Sequence, residues 1–119
     1  MYKEVIYKEP MLAEVRKGSA EVLILNAIEG RERHGYDIAR FIEVQSGGAL
    51  EFHSATLYPT LHKLEKKGLI VGRWVEKAGE RRRRFYKITP DGRATLRDQR
   101  KSWRVFVDAL TRAARIRQI

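Results

Sequence analysis

The four consecutive arginines Arg81, Arg82, Arg83 and Arg84 are the densest run of charge in the chain. A guanidinium offers a planar fork of donors that matches phosphate. Four in a row repel one another, so a polyanionic partner explains them better than solubility does. A second set lies upstream: Thr56, Tyr58, Thr60, Lys63 and Lys66. Small hydroxyl side chains can approach base edges, and lysines reach phosphates. The chemistry on offer is anion and nucleic-acid binding.

Catalysis finds no support. No nucleophile–base pair, glycine-rich phosphate loop or recognisable carboxylate pair is present, and an enzyme is not expected. His34, His53 and His62 have no ligand-like spacing, and there is no cysteine to complete a metal set. No cofactor or metal is expected. His62 is the one histidine weighed as a DNA contact. No apolar run approaches membrane-spanning length and no secretory pattern opens the chain, so a cytoplasmic location is the expectation.

The charge is unevenly placed. The net charge is +10 over 119 residues. Residues 1–50 hold 7 basic and 8 acidic residues, and residues 51–119 hold 18 and 7. The whole excess therefore lies in the half that carries the candidate contacts, as expected of a polyanion-binding face.

Hydrophobic spacing supplies the elements that position these residues. Residues 1–10 read as an arm. A helix follows from Met11, carried by Leu12, Val15, Leu23, Ala27 and Ile28, with Gly18-Ser19 as a candidate interruption and Gly30 as its end. Arg31 to Arg33 form a polar connection. A short helix runs from about Gly35 to Gln45 on Ile38, Phe41 and Ile42. Ser46-Gly47-Gly48 turns the chain, and Leu50 and Phe52 suggest a short extended piece.

A third helix is expected from about Ala55 to Lys67, capped by Ser54, buried through Leu57, Leu61 and Leu64, and stopped by Gly68. Pro59 is awkward there. Either the helix starts nearer Tyr58, or its first turn is distorted. The outward face would hold Ala55, Thr56, Pro59, His62, Lys63 and Lys66, with Glu65 nearer the leucines.

The period then changes. Leu69 to Lys77 and Arg82 to Ile88 read as two strands of a hairpin whose tip is basic. Alternate arginines should face opposite sides of that ribbon. Thr89 to Gly92 breaks the strand. A last helix runs from about Asp91 to Arg117, with Leu96, Trp103, Phe106, Val107, Leu110, Ala113 and Ala114 as its apolar positions.

The fold class expected is mainly α with a small β-hairpin: a winged helix-turn-helix over 11–90, then one long C-terminal helix over 91–119. That geometry puts the third helix into a DNA major groove and the hairpin tip against flanking backbone or minor groove. Thr56 and Lys63 are the expected sequence readers. Tyr58 either touches phosphate or packs on the second helix. Tyr36 can play either role too, with core packing favoured.

Three stretches resemble the PadR family of winged-helix regulators: HGYDIARFI at 34–42, TLYPTLHKLEKKGLI at 56–70 and ERRRRFYKITPDGR at 80–93. The resemblance covers roughly residues 11–107. One departure is Ser54-Ala55, where many members carry a glycine or a second hydroxyl residue. The resemblance implies a homodimeric repressor on a pseudo-palindromic operator, released in many cases by a small aromatic or drug-like molecule. The single helix after the wing looks like the shorter branch, in which that helix makes the dimer.

The apolar stripe Leu96, Trp103, Phe106, Val107 and Leu110 is accordingly the expected dimer interface. Trp103 is its anchor. With its two-fold mate it is also the candidate seat of a planar aromatic effector, as a similarly placed tryptophan is in some relatives. The alternative is a winged-helix RNA-binding or protein-interaction module. RNA binding would favour exposed stacking aromatics, and the aromatics here appear on apolar faces.

Overall fold

The computed structural model describes residues 10–117, with side-chain surroundings from Gly18 onward. Apart from Pro10, the expected arm lies outside the described residues, as do the side chains of Leu12 and Val15. Helix α1 (Pro10–Ala27) runs unbroken through Gly18-Ser19, so the expected interruption is absent. Its stripe Ala20, Ile24, Leu25 and Ala27 is buried, as is Ile28 just after it, and that burial outweighs the weak propensity of one glycine and one serine.

The next segment differs from a plain connection. Arg33–His34 forms a two-residue strand β1, paired antiparallel with the later strand at Arg33↔Tyr86 and His34↔Phe85. Two residues are too few to show a period. Helix α2 (Gly35–Gln45) starts because the His34 imidazole accepts the Asp37 N–H at 3.2 Å, and Asp37 adds a negative charge to the first turn. Ile38 and Ile42 are its buried face. The Ser46 hydroxyl donates to the Glu43 carbonyl and accepts the Leu50 N–H, which closes the turn. Residues 50–53 are irregular, without the suggested extended piece.

Helix α3 (Ser54–Lys66) begins one residue before the expected start. Its N-cap is His53, with no side-chain bond, and Ser54 is the first helical residue. The cap expected of Ser54 is therefore not made. Pro59 sits inside the helix and is exposed. It has no N–H for the Ala55 carbonyl, and Ala55 is itself exposed. Leu57, Leu61 and Leu64 fill the core.

Strands β2 (Ile70–Val75) and β3 (Arg83–Ile88) form the hairpin, in register from Ile70↔Ile88 to Val75↔Arg83. The sheet order is β1-β3-β2. Helix α4 (Pro90–Ala113) follows at once. Thr89 caps it, accepting the Gly92 N–H at 3.0 Å and donating to the Gly68 carbonyl at 2.7 Å. Gly92 lies hard against the Leu69 carbonyl, with no room for a β-carbon. The helix ends at Ala113, about one turn short of the expected Arg117, where Arg115 takes a left-handed φ of 56°.

Leu96 is completely buried among the core residues of its own chain, and Gly92 is buried beside it. Leu96 thus belongs to the winged unit and cannot face a partner, which corrects its place in the interface. The packed unit also extends past the 90/91 division into the first turns of α4. Further along, the Gln99 amide donates to Glu21, and Arg100 pairs with Glu29 at 2.8 Å. Trp103 is half-buried, its ring near Gly18 of α1 and edge-on to Phe106 at 5.9 Å. Among the described residues no helix is long and apolar enough to cross a membrane.

Candidate nucleic-acid interface

The three leucines fix which way α3 presents its other side chains. Ala55, Pro59, His62, Lys63 and Lys66 are exposed, and no carboxylate shares that face. Lys63 lies toward α1, where its ammonium sits 3.4 Å from Glu21. Lys67 pairs with the same carboxylate at 3.0 Å. Burial alone would raise the Glu21 pKa, but hydrogen bonds from Lys67, Gln99 and Lys63 hold it below the usual value.

Two of the expected contacts point less directly outward. Thr56 is half-buried and lines a narrow cleft with Ser19, Leu23 and Phe52. Thr60 is half-buried and donates its hydroxyl to the Thr56 carbonyl at 2.8 Å. Tyr58 packs on the second helix, its hydroxyl over Gly35 of α2, while 48% of the residue stays exposed.

The wing arginines divide by strand parity. Arg83 faces α2 with its guanidinium 3.1 Å from the His34 ring, and His34 lies edge-on to Phe85. Burial, then the Arg83 charge, pushes the His34 pKa down. Arg81 has no ion-pair partner among the described residues, and it lines the cleft of about 430 Å³ shared with Tyr36, Asp37 and Arg83. On the opposite parity, Arg82 lies over the Trp74 ring at 4.4 Å. Arg84 is half-buried, turned back onto α3 and paired with Glu65 at 2.6 Å.

Sequence reasoning passed over several residues here. Tyr36, for which core packing was the favoured of two roles, is 64% exposed, and Trp74 is 53% exposed. With Tyr58 they border the clefts between α2, α3 and the wing, so these aromatics do not fall on apolar faces. Glu65 and Trp74 were not marked as site residues. Parity carried a signal: Tyr86 and Ile88 face inward, so Arg84 must share their side. On α4, Phe106, Val107 and Leu110 are exposed as expected, and Ser102, Trp103 and Phe106 line a shallow recess of about 290 Å³. Among the described residues no group of His, Cys, Asp or Glu is arranged to hold a metal.

A helix-turn-helix followed by a basic ribbon defines a winged-helix protein of the nucleic-acid-binding type. Residues 24–98 match the PadR-like family of transcriptional regulators, and the chain belongs to that family. The transcriptional regulator Rv3488 of Mycobacterium tuberculosis is 35% identical over 91 residues, 76% of this chain and 81% of that protein. A PadR family transcriptional regulator from Eggerthella lenta superposes with a TM-score of 0.77 at 25% identity, covering 98% of this chain and 97% of that one. Bacillus subtilis PadR, solved in complex with operator DNA, superposes at 0.61 with 26% identity over 66% of this chain and 44% of its own. The family and these relatives are transcriptional regulators, not enzymes.

Proposed function

We propose that this regulator represses transcription as a two-fold dimer bound to a pseudo-palindromic operator. The observation that carries the reading is the outer face of α3. It is exposed, lacks a carboxylate and is flanked by the basic wing. Such a face suits a major groove. Lys63, Lys66 and Thr56 supply base and phosphate contacts, with Tyr58 and Thr60 at the edges. Arg81, Arg82 and Arg83 meet flanking phosphates, which add affinity without a sequence code. The Bacillus subtilis relative, seen on operator DNA, supports the same use of the fold.

The division of labour is a winged unit that binds DNA and a distal α4 that joins two copies. Phe106, Val107 and Leu110 continue the Leu96 face of α4 beyond the core, and all three are at least 41% exposed. A second copy of the chain covers such a stripe by the commonest closed symmetry. The recess at Trp103 and Phe106 would then lie near the dimer axis and suit a planar aromatic effector.

Exposure of Tyr36, Tyr58 and Trp74 favours one rival, single-stranded RNA binding through base stacking. Arg82 already covers one face of Trp74, which weakens that use. The test is selection from random duplexes by the intact chain, followed by competition with single-stranded RNA at one salt concentration. A symmetric half-site pair that RNA fails to displace is the expected result. Selection of no duplex, or displacement by RNA, rejects the reading.

A further inference from the structure

Of the four wing arginines, Arg84 has the most protein around its guanidinium. It is bound by Glu65 of α3 at 2.6 Å, and the same carboxylate oxygen accepts the Gly72 N–H of β2 at 3.2 Å. One carboxylate on the recognition helix therefore holds both strands of the wing. The guanidinium also lies 5.5 Å from the Trp74 ring centre and 5.9 Å from that of Tyr86. Gly72 makes this packing fit. A β-carbon there would come within 2.5 Å of the Arg84 Nε. Trp74, the cross-strand partner of Arg84, carries Arg82 on its ring.

We infer that Glu65, Arg84 and Gly72 form a clasp that sets the angle of the wing to the recognition helix, and that Trp74 presents Arg82 from it. Arg84 and Glu65 are positioning residues in this scheme, not DNA contacts. The inference rests on the DNA-binding reading above. Its physical basis is alignment: helix and wing must meet one duplex together, and a wing free to swing loses that register on every encounter. A charge-assisted hydrogen bond fixes direction as well as distance, which a lone apolar contact does not.

The clasp reverses the sign that simple electrostatics gives. Glu65 is an acid beside a DNA-binding face, so neutralising it should tighten binding to a polyanion. If it clasps the wing, neutralising it loosens binding to the selected site. Gly72→Ala separates the two effects further. It changes no charge, and the atoms it meets are the far end of a flexible side chain, so the fold can yield while Arg84 is displaced.

The experiment compares the intact chain with Glu65→Gln and Gly72→Ala. The probes are a duplex selected by the wild type from a random pool and an unrelated duplex of equal length. Each is titrated across a salt series, and thermal melting checks the fold. The expected result is a roughly tenfold loss on the selected duplex for both variants, the scale of one charge-assisted hydrogen bond. Binding to the unrelated duplex and the dependence of log K on log salt stay unchanged in Gly72→Ala, because no phosphate contact is removed. Equal or tighter binding of Glu65→Gln to the selected duplex overturns the clasp while leaving DNA binding intact. A wild type that selects no duplex overturns the DNA-binding reading and the clasp's role with it.

Discussion

Leu96 and Leu110 are the same residue on the same face of one helix, two heptads apart. The first has no exposed surface, and the second is 45% exposed. The proximal half of α4 faces α1 and the sheet, so its stripe closes a core with Ile24, Leu64 and Ile88. The distal half outruns that core while keeping the same periodicity. Periodicity therefore reports which face is apolar, and the length of the neighbouring elements decides whether the chain itself covers that face. Gln99, Arg100 and Trp103 mark the crossover, where α4 makes its contacts with α1.

This contrast can be broken at several points. The largest effect belongs to the distal stripe. Phe106→Asp combined with Leu110→Asp should leave a folded monomer, because charge enters a face that only a partner can bury. Sedimentation at micromolar concentration checks it. A double variant that still sediments as a dimer, or a wild-type monomer, removes the partner from the argument. Next is the proximal counterpart: Leu96→Ala should cost about 2–5 kcal/mol of folding stability. Denaturant unfolding reads this, and a loss no larger than that of Leu110→Ala would erase the distinction.

A smaller effect tests whether the winged unit alone feels mild acid. The folded chain holds His34 below its usual pKa of 6.5, through burial and then the Arg83 charge, with Asp37 opposing and Arg31 assisting. A depressed pKa means that the neutral ring is favoured on folding. That stability is fully present above the unfolded value and is lost as pH falls below it toward the folded value. His34→Asn keeps a capping acceptor without titrating, so its stability should fall less between about pH 7.5 and about pH 5.5. Dimer dissociation should stay level over that range, since side-chain carboxylates titrate lower. The smallest effect lies at the crossover. Arg100→Ala removes an exposed ion pair with Glu29 and should cost less than about 1 kcal/mol. A larger thermal shift would place the edge of the core farther along α4.

Much of this arrangement was legible in the chain. The leucine spacing of α3, the turn at Ser46 and the change of period at Leu69 each reflect a local cause, and those elements fall within about two residues of where the sequence puts them. Features that depend on distant neighbours were not legible. β1 exists only because β3 passes beside Arg33. Leu96 looked like interface because its helix carries one continuous stripe. Arg84 looked like its three neighbours until Glu65, on another element, claimed it. His53 replaces Ser54 as the cap because the chain enters α3 one residue earlier than the capping preference suggests.

The joint at Thr89–Gly92 has a mechanical consequence. Thr89 is tied by its N–H to the Leu69 carbonyl and by its hydroxyl to Gly68, and Gly92 is pressed against the same strand entry. There is no slack at the base of α4. A helix of 24 residues set in a rigid socket is a lever arm of about 36 Å. Arm and winged unit therefore turn together, and a rotation of roughly 5° about the socket displaces the tip by about 3 Å. In the proposed dimer, a change in the crossing of two such arms would change the gap between the two recognition helices by a similar length, comparable to the rise of one base pair.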